Sequence, residues 1–97
     1  MHFEELWEKC EEVNKDDNTK ISSLIDEIMM KCNLYKVIEE NESIPEEERK
    51  NVKSRTLGEI LFALTNLSLQ DNIDVFDALS TAFKYRSIEK YTKKYQS

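Results

Sequence analysis

Between Val52 and Leu69 the stretch VKSRTLGEILFALTNLSL carries apolar side chains on more than one side of a helix. Leu57, Ile60, Leu61, Leu64 and Leu67 recur every three or four residues, the spacing that lines up one helical face, and this face is predicted to be core. Arg55, Glu59, Phe62 and Asn66 follow the same spacing about half a turn away. A helix with two occupied faces touches two neighbours, and in a small domain the second can be another copy of the chain.

The other segments read as shorter versions of the same pattern. From about His2 to Asn14, the residues Phe3, Leu6, Trp7, Cys10 and Val13 form a stripe opposite Glu and Lys, and its aromatic pair is read as a core anchor rather than a stacking surface for a ligand. Residues 15–19 are a polar loop in which Asn18 or Thr19 is placed to cap the next helix. Its adjacent Asp16 and Asp17 lack the alternating acids, central Gly and closing Glu of a calcium loop, which favours a solvated turn. A second helix is predicted from about Ile21 to Glu40, with Ile21, Ile25, Ile28, Cys32 and Tyr35 on one stripe and Leu24 and Met29 widening it. A weaker row holds Ser23, Glu27, Met30 and Leu34, with Asp26 further round and exposed.

Ser43-Ile44-Pro45-Glu46 reads as a helix start, with Ser43 as cap, Pro45 in the first turn and Glu46 able to bond back to the Ser43 backbone. One helix continues from there into the central stretch. Gly58 inside it costs about 1 kcal/mol relative to Ala, which asks for close approach of another helix or a ligand. Gln70-Asp71-Asn72 forms a turn, and Asp74 with Asp77 caps and charges the first turn of a last helix whose buried side is Val75, Phe76, Leu79, Ala82 and Phe83. Its end is basic and aromatic, with Tyr85, Ile88, Tyr91 and Tyr95 continuing a stripe. The cations there either complement the helix dipole or meet phosphates.

Composition narrows the class. One Gly and one Pro in 97 residues leave little turn chemistry for a sheet, so the chain is expected to be one all-α domain over residues 1–97, a bundle of about four helices. Charged residues make up 35% and hydrophobic residues 39%, which leaves room for homo-oligomerisation to complete the core. A net charge of -6 is the wrong sign for gripping a duplex nucleic acid. No run spans a bilayer, and the acidic start MHFEELWEKCEE does not read as a signal peptide, so no membrane partner and a cytoplasmic location are expected. Cys10 and Cys32 on apolar stripes are expected to be buried thiols rather than a disulfide.

Little catalytic chemistry is available. The only histidine is His2, and there is no nucleophile constellation, Gly-rich phosphate loop or helical His pair. A hard-metal site remains possible on carboxylates from two helices, and Glu27 with Glu59 are the best pair because each leaves a second, partly apolar helical face. The competing arrangement is an ordinary pair between Glu59 and Arg55, one turn earlier.

The run Leu57-Gly58-Glu59-Ile60-Leu61-Phe62-Ala63-Leu64-Thr65-Asn66-Leu67-Ser68, followed by Asn72-Ile73-Asp74-Val75-Phe76-Asp77-Ala78-Leu79, resembles the second half of the MazG-like nucleotide pyrophosphohydrolases. The close match covers about a quarter of the chain. The resemblance implies Mg²⁺-dependent cleavage of nucleoside triphosphates to monophosphate and pyrophosphate by a dimer or tetramer of helical subunits. It also implies Glu27, Glu59 and Asp26 as metal ligands, and Asn66, Lys84 and Arg86 as substrate contacts. The chain departs from the family where Thr56 stands in place of the first acid of its acid-x-x-Asp motif and where Ile28, Met29 and Met30 follow the acids of the earlier helix. The alternative is therefore a catalytically inactive, oligomeric interaction module in which Glu59 and Asn66 join a polar network between helices. A small helical adaptor outside this family is a third reading.

Overall fold

The structure, a computed structural model, describes residues 2–95, with side chains through Thr92, and these form four helices and no strand. They are α1 (Phe3–Asn14), α2 (Ile21–Glu40), α3 (Glu46–Gln70) and α4 (Val75–Tyr95). The all-α expectation holds, and the element boundaries fall within a residue or two of the sequence reading. The side chain of Tyr95, expected on the last stripe, lies outside the described residues.

The connections explain where the helices stop. Asp17 Oδ1 accepts from the Thr19 amide at 2.9 Å and the Thr19 hydroxyl at 2.5 Å, a local turn that leaves Lys20 at the start of α2 without a side-chain cap. Ser43 likewise turns to Asn41 Oδ1 instead of capping α3, which begins after Pro45 with Glu46, Glu47 and Glu48 facing the positive end of its dipole. At the far end, Asn72 takes φ 54°, while the amides of Ile73 and Asn72 donate to Ser68 and Leu69 carbonyls at 2.9 and 3.2 Å. This paired closure needs a left-handed residue, a conformation Asn tolerates. Asp74 Oδ1 then accepts from the Phe76 and Asp77 amides at 2.9 and 3.2 Å, the cap expected for α4.

α3 touches both α1 and α2 and is the axis of the fold. Trp7, Leu24, Ile38 and Ala63 are buried along its two contacts, with the polar residues Asn14, Thr56, Thr65 and Asn66. The contact faces are rotated from the predicted stripes. Leu57 and Leu61, expected in the core, are exposed, as are Leu6 and Val13 of α1 and Ile25 and Met29 of α2. Neither cysteine is fully buried: both are free thiols, Cys10 half-buried and Cys32 exposed on the uncovered flank of α2. Each apolar stripe thus straddles a contact within the chain and an open surface.

α4 departs furthest from expectation. Phe76 packs edge-on against Phe3 and Trp7, with ring centroids 6.4 and 6.2 Å away, and Val75 is half-buried beside it. Beyond this first turn Leu79, Ala82 and Phe83, predicted as the buried side, face solvent, as do Tyr85, Ile88 and Tyr91. The helix leaves the body after one anchored turn because the closed Asn72 turn and the Asp74 cap set its direction.

The outcome is an extended molecule. Its Cα radius of gyration is 16.9 Å, against about 12.5 Å for a compact chain of this length. No helix among the described residues is long and apolar enough to cross a membrane.

Gly58 is not explained by close approach within the chain, since a Cβ built there meets nothing within 4 Å. Gly58→Ala is therefore expected to stabilise the protein by about 1 kcal/mol and to raise the thermal midpoint by roughly 4–8 °C. A lowered midpoint in thermal unfolding would mean that a partner chain passes over this position.

Candidate functional site

Glu27 on α2 and Glu59 on α3 converge, as the sequence reading requires, but on a side chain that reading did not single out. Lys31 Nζ lies 2.9 Å from Glu27 Oε1 and 3.5 Å from Glu59 Oε2. Its side chain is 19% exposed, whereas those of Glu27 and Glu59 are 43% and 66% exposed. The least exposed member of the cluster is the cation. Glu27, chiefly through its hydrogen bond, and then Glu59 hold the Lys31 ammonium above the usual lysine range. Glu59 therefore pairs across the helix contact rather than with Arg55 on its own helix.

Two sequence signals point to Lys31 in retrospect. It lies seven residues from both Leu24 and Ile38, the buried residues of α2, so it stands on the true contact stripe. It also follows Glu27 by four positions, the favourable order for a helical ion pair.

A recess of about 340 Å³ opens beside the cluster, lined by Lys31, Leu34, Val52, Arg55, Thr56 and Glu59. Thr56 is buried, and its hydroxyl donates to the Val52 carbonyl at 2.8 Å, one turn back in its own helix. Asp26 is exposed and does not line the recess.

The expected substrate contacts lie elsewhere. Asn66 is buried, donating to Asp17 Oδ2 at 2.6 Å and accepting from Gln70 Nε2 at 3.1 Å. Its neighbour Thr65 completes the tie, with Asn14 Nδ2 reaching both Cys10 O at 2.9 Å and Thr65 Oγ1 at 3.5 Å. Asn66 thus joins α3 to the loop between α1 and α2 instead of facing the recess. Lys84 and Arg86 stand exposed on the projecting part of α4, where Arg86 lies 3.6 Å from Glu89. Neither lines the recess.

A hard divalent cation prefers several anionic oxygens with room for its waters. Here two carboxylates converge and an ammonium already sits between them, so Mg²⁺ would have to displace Lys31 or share the site with a like charge. The residues present are a poor fit to that ion. Among the described residues no group of three or more metal-ligating side chains gathers anywhere.

A second polar recess, of about 420 Å³, lies nearer the α2–α3 connection. Its cations Arg49, Lys50 and Lys53 are matched by Glu39 and Glu46, and Lys53 pairs with Glu39 while standing 5.9 Å from the Tyr35 ring centroid. Charge is largely balanced within it.

No protein-family model matches this chain, and no curated protein or solved structure matches it significantly.

The Asp17 tie yields a pH dependence. Bonds from the Thr19 hydroxyl and amide, and then from Asn66, hold the Asp17 carboxyl below the usual aspartate range. A depressed folded value contributes stability above the unfolded pKa of about 3.9 and loses it as pH falls through the folded value. Asp17→Asn is expected to lower stability at neutral pH and to flatten the acid side of the stability curve, read by urea unfolding between about pH 2 and 7. An unchanged acid limb would mean that the tie contributes nothing.

Proposed function

We propose that this chain is a self-assembling helical interaction module of MazG-like type, in which Lys31 stands where a metal-dependent relative would hold its cation. One observation carries this reading. The accessible surface is 8078 Å², whereas a compact chain of 11.5 kDa is expected to expose about 5,800 Å². The excess of about 2,300 Å² per chain is on the scale that obligate homodimers remove from water. Much of it is apolar, because Met29, Met30, Leu34 and Val37 on α2 are exposed together with Leu57, Leu61 and Phe62 on α3 and the stripe of α4. Apolar exposure of this extent is characteristic of a subunit rather than of a monomer.

The Lys31 cluster supports the inactive form of the module. The half-buried Lys31 ammonium neutralises part of the charge of Glu27 and Glu59 and, through Glu59, joins the two helices, a structural use of the same carboxylates. Asn66, in its buried network with Asp17 and Gln70, fits this reading too.

The convergence of Glu27 and Glu59 keeps a second reading in play, a Mg²⁺-dependent nucleoside triphosphate pyrophosphohydrolase in which substrate and metal displace Lys31. The two readings part on two measurements made together. Light scattering over a dilution series is expected to give a homodimer or larger species. Pyrophosphate release from a panel of nucleoside triphosphates with Mg²⁺ or Mn²⁺ is expected to stay at background. Turnover that disappears in both Glu27→Gln and Glu59→Gln would establish the hydrolase instead, and a monomer at all concentrations would remove the module.

A further inference from the structure

Building on the oligomeric reading just proposed, we infer that the occupant of the apolar groove between α1, α3 and the root of α4 is the α4 helix of a second copy, exchanged reciprocally. The groove holds about 470 Å³ and is lined mainly by Phe3, Trp7, Leu61, Leu64, Leu67 and Leu79. Leu79 belongs to both halves of the arrangement. It walls the groove at the root of α4 and begins the stripe that continues through Ala82 to Phe83, where the helix has left the body. Leu79 and Phe83 are 67% and 69% exposed. A stripe and a groove that meet at one residue form a self-complementary surface, which a two-fold axis converts into a closed pair.

Three features favour a second copy as the occupant, the first of them against the chain's own α4. The turn between α3 and α4 is closed by the Ile73 and Asn72 amide bonds, and the Asp74 cap continues it. Bringing Phe83 back onto its own groove would break those bonds. The surface excess per chain matches what a dimer requires, whereas a short peptide partner would cover only a fraction of it. Charge is also complementary. α1 carries Glu4, Glu5, Glu8, Glu11 and Glu12 against the single cation Lys9, while α4 beyond Phe83 carries Lys84, Arg86, Lys90, Lys93 and Lys94 against the single acid Glu89. In the exchanged pair, the basic end of each α4 runs along the acidic α1 of its partner. Like-charged ends are kept apart, so the charges also set the direction of docking.

The test uses the full chain with Cys10→Ser and Cys32→Ser, into which Leu61→Cys and Phe83→Cys are introduced separately. The two single-thiol proteins are mixed at equal concentration, allowed to exchange and oxidised. The expected result is a disulfide-linked heterodimer well in excess of the homodimers formed by either protein alone. In parallel, Phe83→Glu, a change at a side chain already exposed in the subunit, is expected to keep its helical circular dichroism. It should also weaken self-association by roughly 100-fold, as charging a buried apolar anchor does. A dimer by light scattering that gives no heterodimer and tolerates Phe83→Glu would overturn the exchange while leaving the oligomeric module standing. An intramolecular disulfide in a chain carrying both thiols, with no linked dimer, would overturn it in favour of α4 folding back. A monomer at every concentration would remove both proposals.

Discussion

The fold depends on a single helix serving two neighbours with small side chains at the contact. Thr56, Ala63 and Thr65 are the α3 residues buried with Asn66, and none is large. Small residues let helix backbones approach closely, so α3 can lie against α2, with Lys53 beside Glu39 and Glu59 beside Lys31, and also against α1, with Thr65 beside Asn14. The cost falls on the large apolar residues, which are pushed to the flanks of each contact. Leu24 is the large apolar side chain that is fully enclosed, with Trp7, Ile38 and Ala63 buried beside the contacts, and much of the rest of the apolar surface stays at the edges.

This displacement accounts for what the sequence showed and what it did not. Spacing identified four helices and their ends, because caps, turns and breaks in periodicity are local features: Asp74 and the Asn72 turn act as read. Which side of each stripe would be enclosed is not local. An apolar stripe records every surface a helix buries, including any buried against another chain, and Leu57, Ile25 and Leu6 look the same in either role. The candidate site was legible in the same partial way. The convergence of Glu27 and Glu59 follows from their second-face positions, but Lys31 reads as an ordinary surface lysine until the α2 contact stripe is recognised as Leu24, Lys31 and Ile38. Asn66 sits on the second face, as its spacing indicated, and only the path of the loop through Asp17 decides that its amide serves the fold.

Lys31 changes the electrostatic character of that contact more than its stability. Its carboxylate partners are substantially exposed, so water screens the attraction and the pairs contribute on the order of 1 kcal/mol or less. Their larger effect is on register. Glu27, one turn away on α2, stays within reach of Lys31 in any alignment, whereas Glu59 meets it only when α2 and α3 are aligned as observed, so the register effect rests on that one pair across the contact. A polar residue on a contact stripe commonly sets alignment in this manner at some expense in stability. A metal held by Glu27 and Glu59 would have to displace the same ammonium whose pair with Glu59 ties α2 to α3.

α4 follows the same logic one level up. A helix of 21 residues containing Phe, Tyr, Thr and Ile draws little stability from intrinsic propensity and needs its apolar face covered. In the single chain that cover ends after Phe76. The cap at Asp74 and the aromatic contact with Phe3 and Trp7 anchor one end, and among the described residues Leu79, Phe83, Ile88 and Tyr91 further along the stripe stay exposed. Burial of that stripe by another chain, as proposed, would remove apolar surface from water while fixing the helix, and would thereby couple folding of α4 to assembly by mass action. In the proposed assembly the helix would be most ordered when bound, and the concentration of the protein would be a variable of its fold.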